Sequence, residues 1–562
     1  MPENGKYDAS LNDPLLQSVD KLGTGSNFLW MIFIFTLTPT IFNGMHSLSY
    51  IFIADIPNHW CSIPVLTAAN WTDQQIRNIS SSGSCTMYNY DYEYFAHIGF
   101  QQALEYKITH TIPNSVECGA RTFEESADGT SLVQDWDLVC DKTAARSSTH
   151  MALSLGKLLG SGFFGFLADK YGRKTSYTIG IILLMTSGPL GAVVPWYWGF
   201  MVTRLFNGVS HAAIQYSSFT ILTEVADEKH RQWMAIAYNI GYASGIVIVP
   251  GIAYLLHEWR HIQLAISLPA LLLLIHMWFM PESPRWLISQ NRRREAKVII
   301  DKACKGTAIE APSSTAAFVD RGQELKVSNP RKVKNAVNSV KEELRKNIKG
   351  FRVLIANGEL RKRILITNFS WMVASLCYYA LALNLNNFSA NRYIYVLMMG
   401  LTEIPAYLIP TPILMVIGRR TGSSTLYIIA SFCLLCILTI PTTDADTIMV
   451  ISLIGRFSAT AGYGIAILHS SELFPTVCRN SAVGTNSAMS HVGSVASPYV
   501  ADLLGAVAWW GPTTLCGGLA LLAGLFCATL PETRGRPLAN TLDEEVAEGR
   551  DNVSLTNCWK FR

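Results

Sequence analysis

The sequence predicts an all-α membrane protein with twelve transmembrane helices in two six-helix halves, and three observations lead to this fold class. Of 562 residues, 49% are hydrophobic and 15% are charged, whereas soluble domains carry about 25% charged residues. Apolar runs long enough to cross a bilayer recur along the chain. Landmarks of the first half also return in the second. The net charge of +4 is too small to indicate a nucleic-acid partner.

Each span is assigned where about 20 mostly apolar residues can cross roughly 30 Å of hydrocarbon. The twelve predicted spans are 28–53, 147–168, 175–195, 199–223, 234–256, 260–280, 363–385, 392–417, 424–440, 446–470, 481–506 and 511–530. They divide the chain into an N-terminus at 1–27, a first half at 28–280, a linker with short helices at 281–362, a second half at 363–530 and a tail at 531–562.

Charge in the two long connections predicts the orientation. Residues 55–141 hold three Lys/Arg and twelve Asp/Glu, whereas residues 281–363 hold twenty and nine. Because basic residues accumulate on the cytoplasmic side, the first long loop (55–143) is expected outside and the linker inside. An even number of spans then places both termini in the cytoplasm of a multi-pass plasma-membrane protein.

Cysteines and glycosylation sequons agree with an outside loop. Four of the twelve cysteines lie in it: Cys61, Cys85, Cys118 and Cys140. Oxidising conditions permit two disulfides there, but four cysteines allow three pairings and the sequence does not choose among them. The sequons at Asn70 and Asn78 lie in the same loop and are predicted glycosylation sites.

Four landmarks recur in the same order, which predicts two parallel repeats. Gly172-Arg173-Lys174 and Gly418-Arg419-Arg420 are 246 residues apart, Arg204 and Arg456 are 252 apart, Glu224 with Arg231 and Glu472 with Arg479 are 248 apart, and Pro281-Glu282-Ser283 and Pro531-Glu532-Thr533 are 250 apart. The basic linker joins the two repeats.

The repeats, together with the segment GFLADKYGRK at 165–174, resemble the major facilitator superfamily. In that superfamily the segment lies between helices two and three, and its ion pairs hold the cytoplasmic side shut in one state. Met415 stands at the acidic position of the second copy, so the latch is expected to be asymmetric. The predicted latch residues are Asp169, Arg173, Arg204, Glu224, Glu282, Arg285, Arg419, Arg456, Glu472 and Arg479.

Further segments resemble one branch of the superfamily, the organic cation, anion and zwitterion transporters (solute carrier family 22). These are the cysteine-bearing loop, DWDLVC at 135–140, PESPRWL at 281–287 and ELFPTVCRN at 472–480. Sugar porters have a similar stretch at 281–287, but the seventh span reads LCYYA at 376–380 and lacks their Gln-Leu-Ser motif. The family's outside loop usually has six cysteines, and this one has four.

The resemblance implies a secondary transporter that moves a small organic ion across a lipid bilayer by alternating access. Cations or zwitterions (carnitine-like, amine or amino-acid-like) are the predicted substrates. The alternatives are organic anion exchange and a transport-inactive relative. The sequence contains no Walker A motif, paired CxxC motifs or nucleophile elbow, so no enzyme activity, cofactor or metal is expected. Whether a proton or a sodium ion is coupled stays open.

Ionisable residues inside spans indicate the substrate site, because they are costly in lipid. They are Lys157, Glu403 and His491. In the resembling family the position of Glu403 is commonly acidic, whereas that of His491 tends to be acidic in cation carriers and Arg in anion carriers. The aromatic part of the predicted site comprises Trp371, Tyr378, Tyr379 and the pair Tyr238-Asn239. Structural packing is the alternative role for each of these residues.

Overall fold

The computed structural model describes residues 14–110, 114–124, 129–305, 351–352, 354–384, 391–410, 417–441 and 443–535. Within them, nine helices are long and apolar enough to cross a membrane. They are Asn27–Ile53, Cys140–Tyr171, Arg173–Val193, Lys229–Leu255, Trp259–Phe279, Gly358–Leu383, Arg419–Thr439, Ala445–Leu473 and Gly511–Ala528. Large apolar side chains such as Phe163, Trp198 and Phe432 are exposed on the outer faces of helices, where lipid would cover them.

The helices up to the linker alternate with a small folded loop. The first helices are α1 (Pro14–Leu22), α2 (Asn27–Leu48) and α3 (Tyr50–Ile53). The loop contains β1 (His59–Cys61), α4 (Pro64–Ala68), α5 (Asp73–Ser80), β2 (Thr86–Tyr88), α6 (Tyr92–Ile98), α7 (Phe100–Thr109), β3 (Ser115–Glu117), β4 (Arg121–Phe123) and α8 (Leu132–Trp136). Then follow α9 (Thr143–Tyr171), α10 (Arg173–Val193), α11 (Tyr197–Val225), α12 (Glu228–Leu255), α13 (Trp259–Ser267) and α14 (Leu274–Phe279).

The linker and the second half are also helical. The described linker residues form α15 (Pro284–Ser289) and α16 (Arg293–Lys305). The second half contains α17 (Gly358–Leu383), α18 (Arg392–Leu408), α19 (Arg419–Cys436), α20 (Ala445–Leu473), α21 (Thr476–Tyr499), α22 (Gly505–Val507) and α23 (Gly511–Ala528). Residues 306–350 of the linker and Met415 lie outside the described residues.

Three helices, α11, α18 and α21, coincide with the fourth, eighth and eleventh predicted spans but are not among the nine. Their polarity or length accounts for this. The helix α21 is rich in Ser, Thr and Asn, and α18 has 17 residues. Twelve crossings therefore stay the prediction, while the membrane-protein class and the major facilitator arrangement of long helices are established.

Two predicted spans contain breaks. The sixth is divided into α13, a 3₁₀ segment Leu268–Leu273 and α14, because Pro269 supplies no N–H for a continuous helix. The eleventh continues beyond α21 as a π-helical stretch, Val500–Leu504, which follows Pro498. Such stretches are frequent at functional sites, and this one contains Asp502.

The two halves meet along two helix pairs, α12 with α18 and α9 with α21. At the first pair, a Cβ on Gly400 would lie 2.7 Å from a Val247 methyl group, so a larger residue would separate the halves. One buried apolar cluster extends across this boundary and includes Ile246, Val249, Tyr395 and Met399. The bundle is therefore two packed halves in direct contact. Its "loop end" carries residues 55–143, and its "linker end" carries residues 281–362.

The loop is a compact unit fixed to the first half. Antiparallel pairs β1–β4 and β2–β3 and a core around Trp60, Leu66 and Phe95 give it structure. The carboxylate of Asp135 accepts bonds from Trp259 Nε1 at 3.1 Å and Arg260 Nη2 at 2.9 Å. The predicted glycosylation sites Asn70 and Asn78 are both exposed. Disulfides join Cys61 to Cys118 and Cys85 to Cys140.

Removing the Cys85–Cys140 bridge is expected to loosen the loop. The bridge joins residues 55 apart in sequence, and losing such a closure costs about 2–4 kcal/mol. In the double variant Cys85→Ser/Cys140→Ser we expect faster proteolysis of the loop and weaker surface delivery, with transport per delivered molecule less affected. Surface biotinylation and uptake measure the two effects. The matched control is Cys433→Ser/Cys436→Ser, which removes two free cysteines. Four free loop thiols in non-reduced peptide maps would contradict the assignment.

Candidate substrate site and gates

Lys157 lies halfway along α9, between the two halves. Its ammonium donates to Ser47 Oγ at 3.1 Å and to Tyr379 OH at 3.2 Å. It also lies 5.3 Å from the centroid of the Tyr379 ring. The side chain is buried, and among the described residues no carboxylate lies within ion-pair distance of it. Lys157 thus connects α2 of the first half to α17 of the second through neutral hydroxyl groups.

Glu403 lies on the other side of the adjacent Tyr378–Tyr379 pair. Its Oε1 accepts from Tyr378 OH at 2.6 Å and from Tyr407 OH at 3.5 Å, while Oε2 is buried without a described partner. The guanidinium of Arg456 lies 4.3 Å from the Tyr378 ring centroid and donates to the Met399 carbonyl. Its Nε and Nη2 atoms have no described partner. A carboxylate and a guanidinium with unused hydrogen-bonding atoms therefore lie around one tyrosine.

His491 and His211 face the same region from α21 and α11. Both imidazoles interact electrostatically with Lys157, and each has a buried Nε2 atom without a described hydrogen-bond partner. His150 lies on α9 two turns before Lys157, with its ring centroid 5.5 Å from that of Tyr379. The structure thus brings together Lys157, Glu403, His491, Tyr378 and Tyr379, as predicted for one site.

Three predicted site residues lie elsewhere. Tyr238 packs in the core of the first half, with its hydroxyl 2.7 Å from Ser218 Oγ. Asn239 bonds to carbonyls of its own helix, at Ala235 and Ile236. Trp371 is buried and donates to Ser470 Oγ at 3.0 Å. None of these described bonds joins the two halves, so the contacts of these residues are those of helix packing.

The carboxylate of Asp502 closes the loop end. It accepts from Arg146 Nη1 at 2.6 Å, Ser147 Oγ at 2.6 Å and Tyr50 OH at 3.0 Å. All three donors belong to the first half, whereas Asp502 belongs to the second. The Arg146 and Asp502 side chains are only 2% and 3% exposed. We call these four residues the loop-end gate, because the halves cannot separate there without breaking its bonds.

A second contact between the halves lies beside this gate. Arg392 at the start of α18 forms an ion pair with Asp55, which follows α3. The rings of Phe52 and Tyr393 stack with centroids 5.5 Å apart. Below the gate, Tyr216 and Ser487 hydroxyls lie 2.9 Å apart and also join the halves. The structure is consequently closed at the loop end.

At the linker end, the repeated landmarks form the same arrangement twice. Glu282 accepts from the backbone N–H groups of Arg173 and Lys174 at the start of α10. Glu532 does the same for Arg419 and Arg420 at the start of α19. A carboxylate from a following segment therefore caps each helix N-terminus, where the helix dipole favours negative charge.

Glycines before these helices make room for the caps. Gly172 and Gly418 have φ values of 107° and 89°, and a Cβ on either would lie less than 3.0 Å from the capping carboxylate. Burial raises the pKa of Glu282 above its ordinary value, against the lowering effect of the N–H groups that it accepts. Burial also acts to raise the pKa of Glu532, but three backbone N–H groups hold that pKa below its ordinary value.

The other latch residues divide into two groups. Arg173 pairs with Asp169 at 3.1 Å and Glu224 at 3.0 Å, and Arg419 pairs with Glu472 at 3.1 Å. Arg285 pairs with Asp20, and Arg479 Nε donates to the Phe474 carbonyl. Each of these described contacts lies within one half. The predicted latch is therefore two separate clusters here.

Arg204 and Arg456 were assigned to the same latch, and the structure places them elsewhere. Arg204 donates to the His46 carbonyl and to Ser49 Oγ, near the end of α2 toward the loop end. Arg456 lies beside Tyr378 and Glu403. The repeat spacing identified them as equivalent residues, but both begin their helices from the loop end, far along the chain from the latch carboxylates. Arg456 belongs to the substrate-site region instead.

Sequence analysis also missed the loop-end gate. Asp502 is an acidic residue inside the predicted span 481–506, which was the available signal. Arg146 escaped notice because it precedes the predicted start of the second span at 147, whereas α9 begins at Thr143.

Two helical halves that touch through buried charges and enclose a polar site define a secondary transporter of the major facilitator type. The family model "Sugar (and other) transporter" matches residues 78–542. The inward-open xylose transporter XylE from E. coli has the same fold, with a TM-score of 0.55 at 15% identity over 91% of this chain and 98% of that chain.

The chain belongs to the organic cation, anion and zwitterion transporter family (solute carrier family 22). It is 30% identical over 532 residues to the organic cation transporter protein of Drosophila melanogaster, covering 94% of this chain and 93% of that protein. It is 28% identical over 534 residues to organic cation/carnitine transporter 2 of Homo sapiens, covering 93% and 92%. The chain is accordingly a membrane solute transporter and not an enzyme.

Within the latch, we expect Glu224→Gln to slow the transport cycle more than Asp169→Asn does. The Asp169 side chain is 67% exposed and that of Glu224 is 21% exposed, and an exposed ion pair is worth only about 0–1 kcal/mol. Both residues lie at helix ends away from the site, so substrate affinity should change by no more than a fewfold. Exchange rates and equilibrium binding separate these effects. Loss of binding with normal exchange would contradict the assignment.

For the loop-end gate, Asp502→Asn should favour the state that is open at the loop end. Removing one charge of a buried pair costs about 3–5 kcal/mol in the state that buries it. A cysteine in place of Ser154, which is buried in this state, should then react faster with a membrane-impermeant thiol reagent added from the loop side. The control Asp141→Asn removes a 62% exposed carboxylate of the same end. Equal labelling in both variants would exclude Asp502 as a gate residue.

Proposed function

We propose that this chain moves small organic cations or zwitterions (carnitine-like, amine or amino-acid-like) across the plasma membrane by alternating access. The observation that carries the proposal is the buried Glu403 carboxylate, surrounded by tyrosines and positioned between the halves. The printed names of the relatives, organic cation transporter and organic cation/carnitine transporter, support the same substrate class.

A substrate ammonium would occupy the space between Glu403 and the tyrosine rings. Oε2 of Glu403 is free to accept a bond from it, and each well-placed ring contributes about 0.5–2 kcal/mol of cation–π attraction. Arg456 already holds a cation–π position on Tyr378. A substrate cation therefore competes with an internal one, and binding would release the Arg456 guanidinium from Tyr378. Because Arg456 belongs to α20, this competition connects binding to helix movement.

Zwitterions fit the site for a second reason. Lys157 and Glu403 lie on opposite sides of the adjacent residues Tyr378 and Tyr379. A substrate with an ammonium and a carboxylate would meet one charge of opposite sign at each end. The lipid bilayer and this organic ion are the partners in the proposal, and no cofactor takes part.

Orientation and driving force complete the proposal. The loop 55–143 faces the outside, and both termini lie in the cytoplasm, as the charge balance of the two long connections favours. A monovalent cation that enters down the membrane potential gains about 2.3 kcal/mol per 100 mV, so accumulation needs no second ion. A coupled proton or sodium ion would show itself as uptake that depends on that ion's gradient.

Organic anion exchange is the second candidate, and the buried cations favour it. Lys157, Arg204 and Arg456 are all buried, and the only described acid near them is Glu403. His491 occupies the position that resembling anion carriers fill with Arg. A transport-inactive relative is the third candidate, and it predicts no uptake from any panel of substrates. Proteoliposome uptake of monoamines, carnitine-like zwitterions, amino acids and dicarboxylates distinguishes the three.

Two substitutions test the assignment of charges. Glu403→Gln should abolish uptake of cations and zwitterions, because the amide keeps the shape but removes the negative charge. His491→Arg should shift preference toward anions, because it adds a fixed positive charge beside Lys157. Uptake of a matched cation, zwitterion and anion by purified protein in proteoliposomes gives the result.

The control is Glu258→Gln, since that side chain is 44% exposed at the loop end. Unchanged transport and unchanged charge preference in both test variants would overturn the proposed site. Loss of folded protein in both, judged by the elution profile in detergent, would assign the two residues to structure instead.

A further inference from the structure

The region around Lys157 contains a cluster of buried polar atoms without described hydrogen-bond partners. Besides His491 and His211, it includes both ring nitrogens of His150, Ser154 Oγ and Tyr242 OH. The His211 and Tyr242 ring centroids are 6.1 Å apart, and Ser154 lies one turn before Lys157 on α9. We call these residues and Lys157 the lysine chamber. Buried polar atoms of this kind are normally satisfied by protein, water or a ligand.

The charge of the chamber is unbalanced. Lys157 has only the hydroxyl groups of Ser47 and Tyr379 as partners, and a tetrahedral ammonium retains a third donor. Glu403 lies beyond the tyrosine pair, where Arg456 already attracts it. Arg204 adds another buried positive charge on the first-half side and interacts electrostatically with His150. The described acid closest to the gate, Asp502, is committed to Arg146.

An isolated buried cation is costly, and the cost is reduced by a paired anion. A zwitterionic substrate brings a carboxylate that can fill this role. A substrate that is only a cation brings none, and its entry next to Glu403 leaves Lys157 uncompensated. The chamber would then need a negative charge from another source.

We propose that the lysine chamber binds one small inorganic anion, chloride in physiological solution. The chemistry of the donors selects it. One ammonium needs one negative charge, and hydroxyl and imidazole N–H groups from both halves can coordinate a compact anion. Divalent anions such as sulfate would bring a second charge that no described residue offsets. The anion and a substrate carboxylate compete for Lys157, so chloride supports transport of simple cations and opposes that of zwitterions.

The binding site itself can be tested without any substrate. Purified protein is heated in sodium chloride or sodium gluconate at constant ionic strength, and a ligand that binds the folded state raises the unfolding midpoint in a saturable way. We expect this rise in the wild type and in Lys157→Arg, and its absence in Lys157→Met. The control Lys142→Met removes a 50% exposed lysine and should retain the rise.

The effect on transport rests on the proposed function and is measured separately. Replacing chloride by gluconate on both sides should lower tetraethylammonium uptake by about tenfold, within the range common for coupled sites. Uptake of a carnitine-like zwitterion should be unchanged or increased. Lys157→Met should make cation uptake insensitive to chloride.

The outcomes are distinct. A midpoint that is insensitive to chloride, or equally sensitive in Lys157→Met, overturns the anion site, and the first result would mean that burial keeps Lys157 neutral. If Lys157→Met does not fold, Lys157→Arg and wild type titrated with bromide keep the test decisive, since a site at this position must bind both halides saturably. Saturable binding without uptake of either substrate would refute the proposed function and leave the anion site standing.

Discussion

Charge buried between two helical halves must find a partner, and this requirement governs the arrangement of the molecule. At the loop end the partner of Arg146 comes from the opposite half, so one carboxylate holds the halves together. At the linker end Arg173 and Arg419 find their partners in their own halves. The same physical cost therefore closes one end and leaves the other end to clusters that do not bind each other. Between them, Lys157 reaches across only through a neutral hydroxyl.

The internal repeat explains which parts of the molecule are symmetric. Glu282 and Glu532 cap equivalent helices, and the glycine before each helix leaves room for the cap. The polar centre is not symmetric in this way, because Lys157 and Glu403 have no counterparts of the same type in the other half. Repeated motifs stabilise each half as a unit, whereas substrate chemistry depends on residues that differ between the halves.

Sequence predicted the helices, the folded loop and the linker-end pairs, because hydropathy, cysteine spacing and repeated motifs are local signals. It also identified Lys157, Glu403 and His491, since an ionisable residue in an apolar run stands out. It failed for Tyr238 and Trp371, because an aromatic residue in a span can pack inside a half as well as line a cavity. The bond between Arg146 and Asp502 joins residues 356 apart in sequence, and a single sequence contains no signal for such a pairing.

The helix α9 carries the loop-end gate, the lysine chamber and part of the latch on one rod of 29 residues, about 44 Å long. Its Gly156 lies against the backbone of α11, where a Cβ would come within 2.1 Å of the Leu205 carbonyl oxygen, so the two helices support each other. A rod braced in this way tilts as a whole, and lifting one end presses the other down. A pore open at both ends would require α9 to bend, and this stiffness limits leakage of small ions across the membrane.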